Sequence, residues 1–199
     1  MVKEVAVQAR PSPGVEQFFG IIRGKHGLSL VDFASVSQSS VSLVTGLGHK
    51  IYFEDFFEEL DAIFGDGDFY ANQAEANAKD RFLRSALNHG DGAVDGVLIW
   101  DCLEFLTPAL LKIVVDRLYR QMKPGACLLA FFHGEDRSET VPVYSYRLSD
   151  EKTLALTLRC QRKPAQLFNN RGLERLFGGF QSVKFFLTRD NLREVIVRR

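Results

Sequence analysis

Two rhythms of apolar residues alternate along this chain. Short unbroken runs at 28–31, 50–53, 94–100 and 126–132 have the length and composition of strands covered on both faces. Between them, apolar positions return at helical spacing. Val15, Phe18, Phe19 and Ile22 make one stripe, and Val41, Leu43, Val44 and Leu47 a second. The 56–64 segment continues the pattern, as does 73–87 with Phe82, Leu83 and Ala86 on one side. Leu110, Leu111, Val114, Val115, Leu118 and Met122 form the longest stripe, opened by Thr107-Pro108 and stopped by Lys123-Pro124-Gly125. Between 54 and 93 no convincing strand can be placed. Past residue 140 the rhythm changes: 144–148 and 153–158 alternate as a hairpin about 149–152. A last helix is capped by Asn169 or Asn170, and Gly178-Gly179 ends it. Strands at 180–187 and 194–198 close the chain; their link is too short for a crossover, so they pair antiparallel.

This order predicts an α/β protein with a doubly wound, mostly parallel, Rossmann-like sheet and a C-terminal antiparallel β-hairpin. A length of 199 residues with 46% hydrophobic composition suits a single domain spanning 1–199. The breaker cluster Arg10-Pro11-Ser12-Pro13-Gly14 sets residues 1–14 apart as a flexible or peripheral segment. Lysine plus arginine and aspartate plus glutamate number 25 each, so no net field gathers nucleic acid or anionic lipid. The absence of any long apolar run leads to the expectation of a soluble, cytoplasmic protein without a membrane span. Cys102, Cys127 and Cys160 are far apart and odd in number, which reads as reduced, mostly buried thiols. His26, His49, His89 and His133 are scattered, and no metal site is expected. The acidic run Gly65-Asp66-Gly67-Asp68 is a turn, since a calcium loop needs a longer ligand series.

The candidate chemistry collects at predicted strand ends. The stretch 28–55 runs strand, turn, helix, strand: Asp32 ends the first strand, Phe33-Ala34-Ser35-Val36-Ser37-Gln38-Ser39-Ser40 forms the turn, and Glu54-Asp55 follow the second strand. Strand, helix N-terminus and a carboxylate on the next strand are the parts of a nucleotide-type ligand site. Trp100, Asp101 and Leu103 end the 94–100 strand beside the switch point of such a sheet.

The second half of the chain carries a resemblance. The run 94–106, Val-Asp-Gly-Val-Leu-Ile-Trp-Asp-Cys-Leu-Glu-Phe-Leu, resembles the fourth-strand segment of class I S-adenosylmethionine-dependent methyltransferases. The run 123–129, Lys-Pro-Gly-Ala-Cys-Leu-Leu, resembles that family's turn into strand five. The resemblance covers most of the chain from Val15 and implies S-adenosylmethionine as cofactor, with a small-molecule methyl acceptor. It implies cofactor contacts at Asp32, Ala34, Ser35, Ser37 and Gln38, at Glu54 or Asp55 for the ribose hydroxyls, and at Trp100, Asp101 and Leu103. A general base is needed only where the acceptor loses a proton, and His133 is the best-placed histidine. Tyr144, Tyr146 and Arg147 are the hairpin residues able to line a substrate pocket. The first loop departs from the family pattern, since Ala34, Val36 and Gln38 stand where glycines let backbone and ligand approach. Gln38 calls for a displaced loop or a different ligand. Ser35, Ser37, Ser39 and Ser40 either replace lost contacts or serve as caps. The alternative is a noncatalytic module that kept the fold and lost the cofactor, with Phe18, Phe19, Phe56 and Phe57 as places for an exposed apolar patch in a chain with 17 phenylalanines. A nicotinamide-dependent dehydrogenase lacks its G-x-G-x-x-G turn here.

Overall fold

The computed structural model describes residues 7–134, 139–188, 190 and 192–199. Its centre is a six-stranded sheet. Strands β2 (Ser29–Asp32), β3 (Lys50–Phe53), β4 (Val94–Trp100) and β5 (Met122–His133) are parallel, while β8 (Ser182–Leu187) and β9 (Leu192–Arg198) add an antiparallel pair. The order is β3-β2-β4-β5-β9-β8. The chain thus moves outward from β2 to β3, returns, and resumes at β4 on the other side of β2. That reversal makes β2–β4 the topological switch point, where a crevice opens at the carboxyl ends. The 54–93 interval, where the sequence pattern placed no convincing strand, supplies helices α3 (Phe56–Phe64), α4 (Phe69–Asn72) and α5 (Ala76–Ser85) and no strand, which settles a position the sequence left open. The expected single helix over 73–87 is shorter, because Asp68 caps a separate turn at α4.

Helix α1 (Pro13–Ile22) packs on one face of the sheet through Val15, Phe18, Phe19 and Ile22, all at most 2% exposed. Helix α2 (Gln38–Gly46) joins that layer through Val44. The opposite layer holds α3, α5 and α6 (Pro108–Gln121), where Phe82 packs edge-to-face on Phe56 and tilted on Phe64. Phe18, Phe19, Phe56 and Phe57 are at most 4% exposed, so they form core and not an exposed patch.

Two expectations about the periphery change. The hairpin of β6 (Val141–Asp150) and β7 (Thr153–Arg162) is longer than its alternation suggested. It also gains a third strand, β1 (Val7–Pro11), which pairs antiparallel with β7. The segment 1–14 is therefore built in from Val7 onward. Arg10 turns inward to Glu194, and Ser12 caps α1, two tertiary contacts that breaker residues do not announce. This three-stranded sheet lies against α2 and the carboxyl end of the main sheet; the Leu148 amide donates to the Ser40 hydroxyl at 3.0 Å. Residues 135–138, between β5 and β6, lie outside the described residues. Helix α7 (Asn170–Leu176), capped by Asn169, precedes β8. No helix among the described residues is long and apolar enough to cross a membrane.

Candidate active site

The crevice at the β2–β4 switch point is lined by buried acids and aromatic rings. Trp100 ends β4 with a positive φ of 53°, an uncommon conformation for a bulky residue. It follows an irregularity in the β4–β5 ladder between Leu98 and Trp100. The turn carries the indole over β2, where Nε1 donates to Asp32 Oδ1 at 2.6 Å, and the Ala34 amide donates to the same oxygen at 3.2 Å. Tyr146 from β6 stacks on the indole, with ring centroids 5.0 Å apart and planes within 3°. Its hydroxyl donates to Asp101 Oδ2 at 3.0 Å. Phe131 packs edge-on against both rings.

Asp32 and Asp101 are fully buried, and each keeps one carboxylate oxygen without a hydrogen-bond partner among the described residues. Burial pushes both carboxyls up to about 7, against the pull of the Trp100 bond on Asp32 and of His133 on Asp101. Glu54, just past β3, is likewise raised to about 7 by burial, and its Oε2 also lacks a partner. His89 Nε2 lies 2.9 Å from Glu54 Oε1, but burial lowers the imidazole as it raises the acid. Both shifts favour neutral forms, and the contact lacks hydrogen-bond geometry, so it is not a working ion pair.

Asp55 behaves differently from its neighbour. It accepts from the Glu58 amide as the cap of α3, from the Ser35 hydroxyl, and from Arg159 Nη1 at 3.0 Å. Burial works to raise this carboxyl, but these donors together hold it below its ordinary value. Of the adjacent acids, Asp55 faces the Ser35 loop and Glu54 faces His89.

Behind the crevice, His133 ends β5. Its amide donates to Glu104 Oε1 at 2.8 Å, and Nδ1 sits 2.7 Å from Glu104 Oε2. Glu104 is wholly buried in the short 3-10 turn after β4. Burial disfavours the imidazolium, but the Glu104 bond and charge outweigh it and raise the His133 pKa. Burial also raises the Glu104 carboxyl, against the pull of His133; in its ionised form that carboxylate only accepts, and Nδ1 then carries the proton and leaves Nε2 as the basic position of the neutral ring.

The space enclosed by these groups is small. Ala34, Ser35, Trp100 and Asp101 line a cavity of about 10 Å³, together with Phe33, Phe57, Cys102, Tyr144, Ser145, Tyr146 and Arg159. The other candidates lie elsewhere. Ser37 caps α2, and Leu103 is core. Gln38 is exposed and bonds Ser42 at the start of α2, so what fills the crevice is Trp100 and Tyr146 and not Gln38. Arg147 points outward. Arg159, Ser145 and Cys102 carry no sequence signal for this place. Larger hollows, of about 450 Å³ between α6 and α7 and about 440 Å³ beside Phe69 and Arg162, lie away from the buried acids.

No family model and no curated protein matches the chain. Solved structures do. The chain is similar to a candidate type 11 methyltransferase from Sulfolobus solfataricus, at 12% identity and a TM-score of 0.51, over 96% of this chain and 94% of that one. It is similar to 1,6-didemethyltoxoflavin-N1-methyltransferase from Burkholderia thailandensis, which holds 1,6-didemethyltoxoflavin and S-adenosylhomocysteine, at 12% identity and a TM-score of 0.50, over 94% and 76% of the two chains. Phosphoethanolamine N-methyltransferase 2 of Haemonchus contortus, in complex with S-adenosyl-L-methionine, matches at 12% identity and a TM-score of 0.50; this chain covers 52% of its length. At these identities the likeness is one of architecture, and it agrees with the strand order and the switch-point crevice: the chain has the class I S-adenosylmethionine-dependent methyltransferase fold.

Proposed function

We propose that this chain is an S-adenosylmethionine-dependent methyltransferase for a small-molecule acceptor, with a cofactor crevice shut by its own three-stranded sheet. The observation that carries the reading is the set of buried carboxylate oxygens without partners among the described residues on Asp32, Glu54 and Asp101, each at or just past the carboxyl end of a strand. An unpartnered buried acceptor costs about 1–3 kcal/mol, and more when charged. A cationic, hydroxyl-bearing ligand supplies the missing partners, so the acids fit S-adenosylmethionine in chemistry. When bound, that cofactor supplies an electrophilic methyl group. Asp32 and Asp101 would face its positive charge, and Glu54 or Asp55 its ribose hydroxyls. The stacked Trp100–Tyr146 pair keeps the crevice dry. His133, oriented by Glu104, supports the role of base for an acceptor that loses a proton.

The enclosed volume supports a second reading. About 10 Å³ is room for roughly one water, whereas pockets for ligands of this size run to about 300–1,000 Å³. A noncatalytic protein of this fold would show such filling.

Titration with S-adenosylhomocysteine divides the two. Trp100 is the sole tryptophan and lies in the crevice, so binding should change its fluorescence, release or absorb heat, and raise Tm. If neither the protein nor its Arg159→Ala variant responds at millimolar ligand, the methyltransferase reading is lost and the noncatalytic one stands.

A further inference from the structure

We propose that Arg159 is a gate on the crevice, a protein cation holding the carboxylate of Asp55 until a ligand displaces it; this rests on the methyltransferase reading. Arg159 Nη1 lies 3.0 Å from Asp55 Oδ1 and 3.4 Å from Oδ2. The guanidinium also stands over the Phe57 ring, 5.8 Å from its centroid. Phe57, Ser35 and Arg159 all line the small cavity. Ser35 donates to the same Asp55 carboxylate, so the donors around this acid come from the protein itself. Hydroxyl groups of a ligand must replace one of them to reach it.

Strand β7 is built to let Arg159 leave. Its first half is anchored, with Leu154 and Leu156 at most 4% exposed and β1 paired alongside. Beyond Leu156 the strand stays paired with β6 as far as Arg162, and Leu158, Arg159 and Cys160 are exposed in succession. Arg159 therefore has a third of its side chain in solvent while its partner Asp55 is 14% exposed. A partly exposed pair of this kind is weak enough for a ligand to break, yet it competes for the carboxylate in the unliganded protein.

The test is S-adenosylhomocysteine affinity, by calorimetry and Trp100 fluorescence, in the unaltered protein, Arg159→Ala, Arg159→Gln and Asp55→Asn, each checked for folding by circular dichroism. Removing the arginine should tighten binding about two- to fivefold, the scale of one such pair. Asp55→Asn breaks the same pair but weakens the ribose acceptor, and should not tighten it. Added salt should strengthen binding to the unaltered protein more than to Arg159→Ala. Equal or weaker affinity in both arginine variants overturns the gate while leaving the methyltransferase reading intact. Equal tightening in Asp55→Asn also overturns it, by showing a generally loosened sheet. No binding to any form overturns gate and reading together.

Discussion

Asp32 illustrates how much one residue's environment changes its chemistry. In the sequence it is an acid at a strand end. In the fold it is fully buried, with Trp100 and Ala34 donating to one oxygen and no partner for the other among the described residues. Burial lifts its carboxyl from 3.8 to about 7. A raised carboxyl pKa favours the protonated folded state, so this contribution to stability is full below about 4 and lost as pH rises to about 7. Asparagine at this position keeps an oxygen for both donors and cannot ionise. Relative to the unaltered protein, Asp32→Asn should gain stability from about pH 4 to about pH 7 in urea titrations and level off above that. Parallel stability–pH curves for the two would contradict a buried, proton-binding Asp32. Asp101 and Glu54 carry shifts of the same sign, so the variant flattens only part of the total slope.

At the scale of elements, strand β4 shows what the apolar run at 94–100 implied and what it hid. Its burial on both faces follows from composition. The role of Gly96 within it does not. A Cβ at Gly96 would lie 2.7 Å from both Leu30 Cδ2 and Phe18 Cζ, so the absent side chain lets α1 close onto β2 and β4. Gly96→Ala should cost about 1–3 kcal/mol through overpacking, read as a lower urea midpoint with an unchanged slope. Helix starts were legible because capping is local: Ser37, Asp55 and Asn169 each bond an amide three residues ahead. The hairpin's partner strand β1 was not, because its register with β7 joins Val7 to Thr157 across most of the chain.

For the whole molecule, the joint between the two sheets is a buried charge cluster. Glu194 on β9 is completely enclosed and accepts from Arg10 on β1, the Ser12 hydroxyl and the Gly14 amide. Arg10→Ala strands that carboxylate and should cost about 3–5 kcal/mol in chemical denaturation. Asp190, the other partner of Arg10, is 46% exposed, so Asp190→Ala should cost less than about 1 kcal/mol. Similar losses in both variants would mean that burial of the Glu194 charge is not what matters.

The alternation of runs and stripes determined, by itself, the α/β class and the antiparallel closing pair. Those features depend on backbone periodicity and on neighbours a few residues apart, which the order of residues states directly. The crevice was decided only by tertiary structure. Asp32 meets Trp100 from 68 residues away, and Asp55 meets Arg159 from 104. The replaced glycines pointed to a change in the loop, yet Gln38 turned outward and the filling came from Trp100 and Tyr146. Which side chains share an enclosed space depends on how sheets and helices pack, and no local pattern records it.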